Sequence, residues 1–143
     1  MSLSVRVLFG AALAVAAIGA VGGGFLLVGS PEEARLQRLD DRRVSDLQQI
    51  QRAVSLQWTR TRHLPESIDA AVRETSAAEP LRDPTAQVPY DYRVLDGANY
   101  EVCATFDRAS DGGPYPGDAF WSHPAGRACF RLVAADLNRP MPR

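Results

Sequence analysis

The chain changes its rhythm of apolar and polar positions three times. From Val7 to Pro31 there is no ionisable side chain at all, in the run VLFGAALAVAAIGAVGGGFLLVGSP. The 23 residues Val7 to Gly29 would span roughly 35 Å as a helix, against a hydrocarbon core of about 30 Å, so the pattern predicts a transmembrane anchor over residues 1–30. A cleaved signal peptide is the competing reading, because Arg6 supplies a short positive start and Ala16, Gly19 and Ala20 are small. The apolar run is longer than an ordinary signal core, and the uncleaved anchor is the expectation. Its glycines would permit close packing against a neighbouring membrane helix.

A second rhythm follows over residues 31–64. Pro31 suits a first helical turn, Glu32 and Glu33 suit the positive end of the helix dipole, and no glycine or proline intervenes before Pro65. Leu36, Leu39, Leu47, Ile50, Val54 and Trp58 recur at three- and four-residue steps, with a polar gap at Arg43 and Val44. The period predicts a long amphipathic helix that continues from the anchor. Its stripe Leu47, Ile50, Val54 and Trp58 needs cover, either from this protein's own sheet or, as an interface, from a helix of another chain.

The third rhythm has period two. Within residues 65–135, and after a turn or two of helix near Ser67 to Val72, Tyr90, Tyr92 and Val94 alternate with Asp91, Arg93 and Leu95. Tyr100, Val102, Ala104 and Phe106 alternate with Glu101, Cys103 and Thr105. Asp96-Gly97 supplies the positive φ that a hairpin needs. A third strand is predicted at Arg127 to Val133, after the Gly-, Pro- and Asp-rich run FDRASDGGPYPGDAFWSHPAG. Phe120, Trp121 and Tyr115 in that run are expected to cover the sheet, and residues 136–143 read as a tail. The fold class is therefore α+β: a membrane helix, a long amphipathic helix, and an antiparallel sheet of about three strands.

Composition narrows the function. Sixteen basic against 17 acidic residues leave no basic field for nucleic acid. Orientation carries two opposed signals. Arg35, Arg38, Arg42 and Arg43 follow the anchor while only Arg6 precedes it, which taken literally keeps the carboxyl side in the cytoplasm. Long domains cross largely regardless of charge, and two cysteines without metal-ligand spacing fit an oxidising compartment, so the periplasm of a bacterial inner-membrane protein is the expected site. Cys103 points away from Tyr100, Val102 and Phe106, and the irregular run returns Cys129 to the same sheet, so a disulfide between them is expected.

The stretches HLPESI after the helix, DPTAQVPYDY at the first strand and YEVCATF at the second resemble the extracytoplasmic half of the type II secretion pseudopilins, and pseudopilin-like domains of uncharacterised bacterial membrane proteins. The resemblance covers roughly Val44 to Phe130. It implies a helix lying along a small sheet, with the proline dipeptides directing the chain into the first strand, and a noncatalytic assembly subunit without a cofactor. The start SVRVLFGAAL departs from the family's leader and processing site, with no acidic residue before Glu32. Processing by prepilin peptidase and growth into a pilus are therefore not implied.

Few residues offer chemistry of their own. His63 and His123 have no nucleophile and carboxylate at triad spacing, and read as surface or capping groups. Cys103, Cys129 and His123 lack the pair spacing of a zinc site. Asp107, Asp111, Gly112 and Asp118 fall at positions 1, 5, 6 and 12 of an EF-hand-like loop, a candidate calcium site that the family resemblance also suggests, although Ala109 stands where a ligand belongs. The sequence thus predicts an anchored structural or accessory subunit with the membrane and other proteins as partners. The alternative is a free-standing periplasmic ligand- or cation-binding sensor that uses the run from Asp107 to His123.

Overall fold

The structure, a computed structural model, describes residue 7 and residues 10–20, 30–74, 80–110 and 119–135. It forms two compact units, Met1–Arg35 and Leu36–Arg143. In the first unit residues 10–20 are helical (α1) and exposed throughout. Among the described residues no helix is long and apolar enough to cross a membrane. Much of the expected anchor, including residues 21–29, lies outside the described residues.

Helix α2 runs Pro31–Thr61. Its start is a capping box: the Glu33 amide donates to Ser30 Oγ, and the Ser30 amide donates to Glu33 Oε2, each at 3.2 Å. Its end is set by Arg62, which takes φ 59° and sends its amide to the Trp58 carbonyl at 2.9 Å. A left-handed residue of this kind stops the helical ladder. Helix α3 is short, Ile68–Glu74.

Three antiparallel strands follow in the order β1 (Asp91–Asp96), β2 (Asn99–Phe106) and β3 (Gly126–Val133). Gly97, at φ +41°, opens the two-residue turn between Asp96 and Asn99, a position that a side-chain-bearing residue rarely fills. The central strand is buried on both faces apart from Thr105 and the half-buried Asn99, with the core on one face and the side chains of Arg93 and Arg131 reaching across Glu101 on the other.

One core joins these elements. Leu47, Ile50 and Val54 of α2 are fully buried with Tyr100 and Val102 of β2, Leu132 of β3 and, close behind, Ile68 and Ala71 of α3. The α2 stripe is therefore covered by this protein's own sheet and short helix. Trp58 only packs against the margin of that core and is half-buried. Trp121 is buried and Phe120 half-buried, and both rings lie against Phe130; Tyr115 lies outside the described residues. In β1 the expected inward Val94 is instead 46 % exposed. The register shifts between Val94 and Asp96, which turns Leu95 to the half-buried position, as bulges at edge strands do.

Candidate functional site

The polar gap in the α2 stripe is where the fold places its densest chemistry. Helical spacing puts Asp40, Arg43 and Asp46 on the same side as Leu47 and Ile50, and all three are buried. Arg43 donates from Nε to Asp83 Oδ2 at 2.7 Å, from Nη1 to Asp40 Oδ1 at 2.7 Å and to Asp107 Oδ2 at 2.6 Å, and from Nη2 to Thr85 Oγ1 at 3.1 Å. The side chain is 4 % exposed. One guanidinium thus joins α2, the loop before β1 and the residue after β2.

The carboxylates are held from their other sides. Asp83 Oδ1 accepts the amides of Thr85 and Ala86 at 2.9 and 2.8 Å, the side-chain turn that an aspartate before proline forms readily. The Asp83 amide in turn donates to the Val88 carbonyl, which closes the loop. Asp40 accepts the amides of Asp107 and Arg108 at 3.0 and 2.9 Å. Burial alone would push the Asp83 carboxyl up, but the Arg43 bond and the two amides outweigh it and hold the group below its ordinary value. Burial likewise works against the Arg43 cation, and its three carboxylates more than offset that, so it stays charged.

Next to this node Tyr90 donates its hydroxyl to Asp46 Oδ2 at 2.8 Å. Burial raises the Asp46 carboxyl despite that bond and the nearby Arg42, and Asp83 adds to the rise. The Tyr90 phenol is pushed far up by burial and by Asp46.

The outward face of the sheet carries the second polar group. Cys103 and Cys129 are register partners with a Cα separation of 4.1 Å and are joined by a disulfide, at the close spacing of a non-hydrogen-bonded antiparallel pair. One row along, Glu101 accepts from Arg93 Nη2 at 2.9 Å and from Arg131 Nε at 3.1 Å. Burial opposes ionisation of Glu101, but the two arginines win and hold its carboxyl low. Arg127 and Asp91 pair at 2.8 Å on the same face.

The expected disulfide is present. Of the candidate calcium ligands, Asp107 accepts from Arg43, while Asp111 and Asp118 lie outside the described residues. His63 is exposed, its Nδ1 on the Thr61 carbonyl at 2.7 Å, a helix-end role. His123 departs from the expectation: it is buried and stacked on Phe106 with ring centroids 3.5 Å apart, and its amide donates to Ser110 Oγ. It pins the far end of the irregular run. Glu101, Cys103 and Cys129 bring one ligand-type atom each within 4.8 Å, but sulfurs joined to each other are not the thiolates that a zinc-type site requires.

Sequence reasoning missed the Arg43 node. Its signal was an arginine filling a gap in an apolar stripe, with Asp40 one turn earlier and Asp83 before a proline. A cleft of about 240 Å³ opens beside it, walled by Arg43, Asp83, Thr85, Tyr90 and Asp107. Four of the five N–H groups of Arg43 are spent on partners within the fold, so the arrangement ties segments together. No protein-family model, curated protein or solved structure matches the chain.

Proposed function

We propose that the protein is a single-pass membrane protein, anchored over Val7 to Gly29, and that it presents a pseudopilin-like α+β domain outside the bacterial inner membrane as a noncatalytic structural or accessory subunit. The observation that carries the reading is the uncharged α1, on which Leu13, Val15 and Ile18 are 71 %, 70 % and 72 % exposed. Apolar side chains displayed together on an uncharged helix call for lipid or a partner helix. The Cys103–Cys129 disulfide supports the extracytoplasmic side, where such bonds persist. The use of Arg43 to join α2, the loop before β1 and the end of β2 supports a scaffold role.

Two steps test the reading together. Membranes washed with alkaline carbonate should retain the protein, and extraction in mild detergent should bring stoichiometric protein partners with it. Release by the wash contradicts the anchor, and a protein that is purified alone contradicts the subunit role.

A second reading, the free-standing sensor, is favoured by one feature. A cleft of about 410 Å³ is lined by Arg42, Asp46, Arg82 and Gln87 among others, within the size range of small-molecule sites. Purification without partners, together with saturable binding of a small anion, would favour it.

A further inference from the structure

We propose that Cys129 is the sulfur at which the disulfide is opened, by a thiolate approaching the outward face of the sheet, which makes it a site of mixed-disulfide formation and reversible reduction. This goes beyond the scaffold role and does not depend on it.

The two half-cystines differ in access. Cys103 sits on the central strand and is 4 % exposed, whereas Cys129 sits on the edge strand β3 and is exposed. Thiol–disulfide exchange needs the attacking sulfur to reach one sulfur of the pair, so access selects which one is attacked. Cys129 is much the more exposed of the two, whereas Cys103 borders only the cleft beside Arg43.

Charge favours the approach of an anionic thiol to this face. Arg127 and Arg131 flank Cys129 two residues away on either side and share its face of the strand. Their side chains are 62 % and 65 % exposed, and Arg93 across the sheet is 68 % exposed. Three guanidinium groups face two carboxylates, Asp91 and Glu101, so an incoming anionic thiolate meets a mildly positive surface.

The step balances without a further reactant, and access rather than leaving-group charge selects Cys129, because ionised Glu101 disfavours a thiolate at Cys103. The thiolate forms a bond to Cys129 Sγ, the Sγ–Sγ bond breaks, and Cys103 departs with the electron pair. Cys103 Sγ lies 4.0 Å from Glu101 Oε2, so once it takes a proton from solvent it can donate to a carboxylate that Arg93 and Arg131 keep ionised. If the attacker is a dithiol, its second thiolate attacks the dithiol's own first sulfur, the mixed-disulfide bond breaks, and Cys129 departs as a thiolate. The dithiol is oxidised to a disulfide, and two electrons and two protons pass to the protein. Eight register pairs join β2 to β3, so the strands stay paired when the bond opens.

The test uses the full chain in mild detergent, folded and oxidised, with reduced glutathione as the attacking thiol and N-ethylmaleimide as an early quench. Peptide mass spectrometry should find glutathione on Cys129 and maleimide on Cys103 in about tenfold excess over the reverse. Replacing both arginines (Arg127→Ala with Arg131→Ala) should slow reaction with anionic glutathione about fivefold and leave cysteamine, whose attacking thiolate form is a net-neutral zwitterion, nearly unaffected. An even or reversed distribution, reaction only after denaturant is added, or equal slowing of both thiols would overturn the proposal.

Discussion

Arg43 and Asp83 stand forty residues apart in the chain and meet at 2.7 Å in the folded protein, both buried. The contact fixes where α2 lies against the loop that leads into β1. With Asp107 as a further acceptor, it also fixes where β2 ends.

Removal of the cation should therefore be severe. Arg43→Met leaves Asp40 and Asp83 buried without a counter-charge and is expected to cost about 3–5 kcal/mol, a large part of a small domain's stability. Arg35→Ala breaks only the exposed pair with Glu32, in which both side chains are about two-thirds exposed, and should cost under about 1 kcal/mol. Urea denaturation of the two variants checks the contrast, and similar losses would show that the node carries no special weight.

Two buried tyrosines should respond oppositely to loss of the hydroxyl. Tyr90→Phe removes the donor to Asp46 and strands a buried carboxylate, for an expected loss of about 1–3 kcal/mol. The Tyr100 hydroxyl is buried with no hydrogen-bond partner among the described residues, so Tyr100→Phe should be neutral or stabilising. Thermal melts of the pair decide the matter, and a destabilised Tyr100→Phe would contradict the geometry.

The α2 stripe is an internal contact, and its substitutions should read out as stability. Leu47→Ala, at a position with no exposure, is expected to cost about 3 kcal/mol, and Trp58→Ala, at the half-buried margin, somewhat less. If melting temperatures held and only self-association changed, the stripe would be an interface between chains.

The pH dependence has three parts with different signs. Asp83 and Glu101 titrate below their ordinary 3.8 and 4.5. Their stabilisation is complete above those values and is lost as the pH falls through the lowered ones. Asp46 is raised, so its protonated form suits the fold and its charged form weakens it as the pH rises above 3.8. Asp46→Asn keeps an acceptor for Tyr90 and should be more stable than the parent at pH 7, with the difference closing in acid. At the alkaline end burial pushes the Tyr92 phenol up to about 12, and the stability it contributes should be lost as the pH rises from 10 through that value. Melting temperatures measured across pH follow all three parts.

Most of the architecture was legible in residue patterns. The hairpin about Gly97, the third strand and the long helix followed from periods of two and three to four and from turn chemistry, all of them local signals. The disulfide was legible because Cys103 falls on the opposite beat from Tyr100 and Val102. The Arg43 node was not, since its partners lie 40 and 64 residues away and a lone charge in an apolar stripe looks the same whether solvated or buried. Val94 was misplaced because a register shift in an edge strand leaves no mark on alternation. His123 was misjudged because its burial depends on Phe106, a residue that pattern alone does not bring near it.

The central claim, an anchored domain held outside the membrane and stapled across β2 and β3, is tested most directly by counting thiols. Protein taken from its native membranes, denatured without reductant and treated with a maleimide label, should show no labelled cysteine and should gain two labels after reduction. Two labelled cysteines before reduction would contradict the disulfide in the native protein and, with it, the extracytoplasmic placement of the domain.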